Sequence, residues 1–316
     1  MTRRAYLMMG GAAAVWGASY MFIKVALDDF GAGAIVCIRT ALGAVVLLAL
    51  ARRWNALAPL RGRWVLAGAI GCVQVVIPFL LITFGETHID SQMAGILVSA
   101  APIFTALIAV RYDDDERPHG IAIAGVVMGI VGVVLLFGVD LSGDSAALLG
   151  GLMILLASFG YAIGPLQMKR RLQGVPPVGT AAATMTLAAL LLTPAVPFAL
   201  PSHAPGLDTV GSLLVLGAGG TGIAFLIFYT LIAEIGPGRA TVVAYIAPGF
   251  SVIYGVTLLG EAFTAGTAAG LFLILAGSWL AAGGGFSRIG LSRSTAPAPA
   301  RARRSRGAWP PPGTAG

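Results

Sequence analysis

The sequence predicts an all-α integral membrane protein with ten transmembrane helices, arranged as two inverted five-helix repeats. Three observations predict it. The 316 residues are 57% hydrophobic and only 10% charged, where a soluble domain carries about 25% charged residues. The basic residues fall in alternate loops. The chain also matches itself at an offset of about 145 residues.

Crossing a ~30 Å hydrocarbon core takes about 20 apolar residues. Ten segments reach that length, at 5–26, 31–51, 64–84, 91–110, 119–139, 147–167, 178–200, 210–233, 239–259 and 264–285. The first follows Met-Thr-Arg-Arg and has the outline of a secretory leader. Its apolar run is too long for one and its Ala12–Ala14 stretch comes too early for cleavage, so it reads as a retained span. Prolines 165, 176, 177, 194 and 197 crowd the ends of the sixth and seventh segments.

The charges orient this map, because short cytoplasmic loops carry the Lys and Arg excess. With the N-terminus inside, 18 of the 20 basic residues fall on the cytoplasmic side. They are Arg3 and Arg4, Arg52 to Arg63, Arg111 and Arg117, Lys169 to Arg171, Arg239 and six tail arginines. The remaining two, Lys24 and Arg39, lie within spans, and the outer loops hold acids such as Asp28, Glu86, Asp144 and Glu261. The net charge of +7 thus reflects orientation in a cell membrane, with both termini cytoplasmic, and not a nucleic-acid partner. Residues 286–316, rich in Arg, Ala, Pro and Ser, are expected to be a disordered basic cytoplasmic tail.

The internal match defines two halves, 5–139 and 147–285. Trp16-Gly17 and Lys24 correspond to Tyr161-Ala162 and Lys169, and Ala94–Pro102 corresponds to Ala240–Pro248. Asp115 and Glu261 each lie 13 residues past the proline of their block, and Gly125 and Gly132 correspond to Gly270 and Gly277. Five spans per half is an odd number, so the second half must enter from the opposite side. Inverted repeats of this kind build many secondary transporters, with a substrate site between the halves near the midplane.

Together, Trp-Gly-Ala-Ser-Tyr-Met-Phe-Ile-Lys at 16–24, the in-span Arg39, the blocks ending at Pro102 and Pro248, and the acid and glycine-spaced helix after each resemble the EamA-domain branch of the drug/metabolite transporter superfamily. The resemblance covers residues 5–285. It implies a ten-helix bundle of two EamA repeats around a central cavity. It implies export or exchange of small metabolites, often amino acids, sometimes toxic compounds. The first repeat closes in Asp-Asp-Asp-Glu-Arg at 113–117, where the family has a Gly-Glu-Arg type of closure, and Gln74 and Pro78 match no family role.

Certain residues stand out within this frame. Pro102 and Pro248 lie near the middle of spans 4 and 9, where proline kinks a helix and marks a cavity or a gate, unless it serves packing alone. Arg39 must face the bundle interior and find a partner, with Glu86 or Asp28 as candidates. It suits a substrate carboxylate held by two hydrogen bonds. Lys24 precedes Asp28 by four residues, so an ion pair with snorkelling competes with a role in substrate binding or coupling. Trp16, Tyr20, Tyr161, Tyr229 and Tyr245 offer aromatic walls with polar tips, and Gln74 is an in-span amide needing partners. The glycines of spans 5 and 10 suit close helix packing, and equally a face for a homodimer.

Transport leads among the functions. No nucleotide-binding loop, cofactor motif or metal-ligand histidine pair is present, so gradients would supply the energy. Gly249-Phe250-Ser251 has the look of an intramembrane serine protease motif, but the histidines, His88, His119 and His203, all lie in or beside loops. A passive pore or a regulatory membrane subunit is the alternative. The expected partners are a small-molecule substrate and the lipid bilayer.

Overall fold

The computed structural model describes residues 2–112, 120–139, 141, 143–198, 200–235, 240 and 242–281. The closure at 113–117, Arg239 and the tail at 286–316 lie outside the described residues, as do the side chains of Lys169 and Arg170. The described residues contain helices and turns and no strand.

The chain opens with α1 (Arg3–Ala26), capped by Thr2, whose hydroxyl accepts the Ala5 N–H at 3.3 Å. Helix α2 (Ala32–Arg53) follows a short loop. The third span is α3 (Trp64–Gly71), a wider π-helical turn (Cys72–Val76) and α4 (Ile77–Gly85). The fourth is split into α5 (Ser91–Val98) and α6 (Ala101–Tyr112). Then come α7 (Ile121–Val139), α8 (Ser145–Arg171) and α9 (Pro177–Leu192), which runs into a 3₁₀ segment, Thr193–Phe198. Next are α10 (Leu207–Leu214), a second π-helical segment (Val215–Ile223) and α11 (Ala224–Ile235). The last are α12 (Val242–Leu258) and α13 (Ala265–Ala281).

Among the described residues, seven helical stretches are long and apolar enough to cross a membrane: 3–26, 32–53, 64–85, 91–108, 121–139, 145–164 and 207–231. The expected seventh, ninth and tenth spans are represented by the shorter apolar helices α9, α12 and α13. Pro194 and the 3₁₀ segment around it end α9 early, since proline cannot donate to the ladder. Large apolar side chains such as Val65, Val134, Leu190 and Phe272 face outward, as a lipid-facing surface requires.

The two prolines singled out in the sequence behave differently. Pro102 heads α6 after a turn at Ser99–Ala100, and carbonyls at the break are taken up by neighbours. Ser158 donates to Leu97 O at 3.1 Å and Ser278 donates to Ser99 O at 3.0 Å. Pro248 instead lies inside a continuous α12. The broken span and the unbroken one are thus not equivalent, because only the first has serines from two neighbouring helices at its free carbonyls.

The π segments have local causes. Pro78 has no N–H to offer the Gln74 carbonyl, and the Ile77 N–H bonds Cys72 O, five residues back. In the second segment the Ala224 N–H likewise bonds Gly219 O. There the Thr221 hydroxyl also donates five residues back, to Leu216 O at 3.1 Å.

Packing joins the halves throughout. Helix α1 lies against α12 and against the α10–α11 span; α2 against α9 and the second π segment; α4 and α5 against α8; α3 against α9; α5 against α12. The most extensive seam is α7 on α13. There the backbones touch through Gly125, Gly129, Gly132 and Gly277, while Gly270 receives the Leu136 side chain. A Cβ at Gly277 would lie 2.7 Å from Gly125 O and from Gly129 Cα. The glycine faces are therefore occupied within the chain and are not free for a second copy. Gly277→Ala should destabilise the protein by about 1–3 kcal/mol, while Gly138→Ala, with open space around it, should leave thermal unfolding in detergent unchanged.

Candidate functional site

Arg39 lies in α2 and is only 5% exposed. Its Nε donates to Thr221 Oγ1 at 3.2 Å, and its guanidinium carbon sits 4.0 Å from the centroid of the Phe79 ring. A cation over an aromatic face is stabilised by the ring's negative centre, more so when both are dry. Arg39 forms no ion pair among the described residues, so the acidic partner expected from the sequence is not its anchor. Thr221 belongs to the second π segment, whose wider turn presents that hydroxyl to α2. Tyr20 from α1 and Tyr161 from α8 lie within electrostatic reach of the guanidinium. Two halves of the chain thus meet at one buried cation.

Trp16 stands one turn before Tyr20. Its indole N–H donates to Gly220 O at 3.2 Å, satisfying a carbonyl of the second π segment. Its ring packs on Phe225 and Phe228, with centroids 5.6 and 5.0 Å away. Tyr229 continues this aromatic group 6.0 Å from both phenylalanines. Tyr20 lies against Gly95 and Ser251, where α1, α5 and α12 converge. A Cβ on Gly95 would come within 3.2 Å of the Tyr20 ring and would collide with Ser251.

Glu86 follows α4 directly and is fully buried. Neither carboxylate oxygen has a hydrogen-bond partner among the described residues. Lys24 donates to the backbone carbonyls of Glu86 at 2.8 Å and Ile89 at 2.9 Å. The i,i+4 pair with Asp28 is therefore not formed. Asp28 is exposed, and the lysine reaches across to carbonyls left free where α4 ends. Glu261 caps α5: the Ser91 N–H donates to Oε1 at 2.7 Å and the Gln92 N–H to Oε2 at 2.9 Å.

The remaining sequence candidates lie elsewhere. Tyr245 donates to Ser278 O at 3.3 Å, tying α12 to α13. Pro248 is buried one residue from the close crossing of Gly17 with Ala247. Pro102 is half-buried at the head of α6. No described contact joins these three to Arg39. Gln74, in the first π segment, lies against Gly164 with its Oε1 buried and unpartnered. Nothing in the sequence marks Phe79 or Thr221 as partners of Arg39, because an apolar phenylalanine and a threonine among glycines look like packing. Glu261 had a signal, as the acid 13 residues after Pro248, but the helix it caps is visible only in three dimensions.

Polar links also join the halves at the helix ends. His203 Nε2 lies 2.9 Å from Asp29 Oδ1, and the Gly206 N–H donates to Asp29 Oδ2 at 2.8 Å. Elsewhere Arg4 pairs with Glu234 at 3.3 Å, and Arg63 donates to Gln173 O at 2.9 Å. Asp29 lies in the loop between α1 and α2. The Gly206 amide, then the Thr209 hydroxyl and His203, hold its carboxyl below the usual aspartate range.

Comparison with known proteins agrees with this architecture. A model of the EamA-like transporter family matches residues 3–138 and again 148–283. An uncharacterized transporter of Archaeoglobus fulgidus is 25% identical over 84% of the chain and 94% of its own length. The uncharacterized inner membrane transporter YedA of Escherichia coli strain K12 is 28% identical over 78% of the chain and 80% of its own length. A protein of the same strain named "Probable amino-acid metabolite efflux pump" is 26% identical over 84% and 90%. One crystal structure superposes with a TM-score of 0.64, covering 89% of this chain and 98% of its own at 20% identity, a likeness of fold alone.

Two outcomes follow from this geometry. Thr221→Val strands a buried donor and should cost about 1–3 kcal/mol of stability in thermal unfolding, while Thr221→Ser should retain most of it. Asp29 titrates lower folded than unfolded, so its contribution is present above the unfolded value and lost as pH falls through the folded one. The melting difference between the wild type and Asp29→Asn should therefore be present at ~pH 7 and should shrink at ~pH 3.

Proposed function

Because the chain belongs to the EamA-like transporter family, we propose that it is a secondary transporter that exports or exchanges small metabolites, amino acids or related compounds first among them. The observation that carries this reading is the buried Arg39, bonded across the halves to Thr221 and facing Phe79, with Tyr20 and Tyr161 nearby. A guanidinium binds a carboxylate through two parallel hydrogen bonds, and aromatic walls suit the rest of a small organic molecule. The name of the Escherichia coli efflux relative points to the same substrate class.

The chain is a multi-pass membrane protein, and on our reading its ten helical segments form two inverted repeats of five. Packing supports this. If each span is exchanged for its counterpart in the other half, α1 on α12 becomes α8 on the fourth span, and α4 on α8 becomes the eighth span on α1. The seams α2 on α9, α5 on α12 and α7 on α13 map onto themselves. The π segments, at 72–76 and 215–223, occupy matching third and eighth spans. Alternating access would then rock one half against the other around Arg39, with both termini cytoplasmic. A permanently open pore fits poorly with an Arg39 that is 5% exposed and a Glu86 that is 0% exposed.

The test is flux in proteoliposomes against a panel of labelled amino acids and cationic drugs. At least one compound should move faster than in empty vesicles. Arg39→Lys should reduce that flux at least about tenfold, because a point charge does not replace the planar fork. Movement of nothing, or wild-type flux in Arg39→Lys, would overturn the reading. Cysteines at Ser145 and Gln173 should label from outside and inside the cell respectively.

A further inference from the structure

We propose that Glu86 carries the proton exchanged for substrate, holding it in this closed arrangement and releasing it when α4 parts from α8. The inference rests on the transport reading and adds the coupling ion to it.

Three observations carry it. First, the Glu86 carboxyl is 0% exposed and neither oxygen has a described hydrogen-bond partner. An ionised carboxylate without a hydrogen bond or an ion pair is strongly disfavoured away from water, and the protonated form is the one this setting accepts. The cations that face it are both engaged elsewhere. Lys24 of α1 bonds two backbone carbonyls, and Arg39 of α2 bonds Thr221 and faces Phe79. The acid that faces it, Glu261, is itself taken up by two backbone N–H groups. Of two neighbouring carboxyls, one thus has two donors and the other has none among the described residues. Tyr20 of α1 is the remaining titratable neighbour, while Asp90 lies beside Lys24 and Glu261.

Second, Glu86 adjoins a contact between the halves that alternating access would open. The preceding Gly85 lies backbone to backbone with Gly150 of α8, and a Cβ on either would fall 2.8–2.9 Å from the other's carbonyl oxygen. On this proposal water reaches Glu86 when α4, from the first half, moves off α8, from the second. Third, Phe79 lies in α4 and Glu86, seven residues on, is the C-cap of the same helix, its N–H bonded to Ile82 O. Displacement of α4 would therefore shift the carboxyl and the ring under Arg39 together.

The cycle balances simply. When α4 parts from α8, Glu86 gives its proton to water on the open side. The carboxylate so formed can pair with Lys24 or Arg39. With substrate bound and the carboxylate so paired, the site changes side; there substrate leaves, the carboxylate takes a proton from water, and closure without substrate requires that protonation.

The experiment uses the full chain in proteoliposomes, with a mixture of tritiated amino acids as probe and two readouts. Infrared difference spectra between neutral and alkaline pH should contain a protonated carboxyl band that is absent in Glu86→Gln. Glu86→Asp should retain the band at a shifted midpoint. A one-unit pH gradient should drive about tenfold accumulation of the probe in the wild type. Glu86→Gln should show none, and its residual exchange should no longer vary with pH. Absence of a Glu86-dependent band overturns the proposal. So does gradient-driven accumulation that persists in Glu86→Gln, or wild-type accumulation indifferent to the gradient. If the wild type neither accumulates nor exchanges the mixture, it is the amino-acid transport reading that fails, and the infrared band still decides whether Glu86 holds a proton.

Discussion

The structure turns on the requirement that a buried guanidinium find partners among helices surrounded by lipid. A charged arginine at the centre of an isolated helix costs a few kcal/mol or more. Arg39 meets that requirement without an acid: it has one hydroxyl from the other half and the face of one aromatic ring. Thr221 reaches it because the eighth span widens into a π turn. That irregular turn is stable because Trp16 donates to one of its carbonyls and Thr221 donates to another. Remove the irregularity and the cation loses its partner; remove the cation and the irregular turn has no evident purpose.

Uncommitted chemistry collects around the same place. A guanidinium held through Nε has its two terminal nitrogens available to an anion. Glu86, Gln74 and Gln92 each have buried oxygens without a described partner. Folded proteins satisfy most buried polar atoms, and exceptions ask for an explanation. Here they lie on elements near the junction of the halves, so the departures from full pairing concentrate where a ligand or a proton would make up the difference.

Much of the fold was legible in the sequence because membranes impose coarse rules. Apolar run length marked the seven long apolar helices and the three shorter ones. Arg39 was legible because a charge inside an apolar run is conspicuous. Its partners were not, since Phe79 and Thr221 look ordinary in a chain so rich in apolar and small residues. Lys24 was misassigned to Asp28 because a sequence displays neighbours along a helix, while carbonyls freed at the end of another helix appear only when the chain is folded. The prolines misled in the opposite way. Pro102 and Pro248 look alike in sequence, yet Ser158 and Ser278 allow a break at the first alone.

The glycine seam between α7 and α13 has a mechanical consequence. Where Gly125 and Gly129 meet Gly277 the backbones have no side chains between them to interdigitate in a second register, so the pair cannot slide there by small steps. It holds as it is or separates altogether. The seam thereby tolerates no partial adjustment along its length. A single methyl group added at that line could be accommodated only by moving a whole helix.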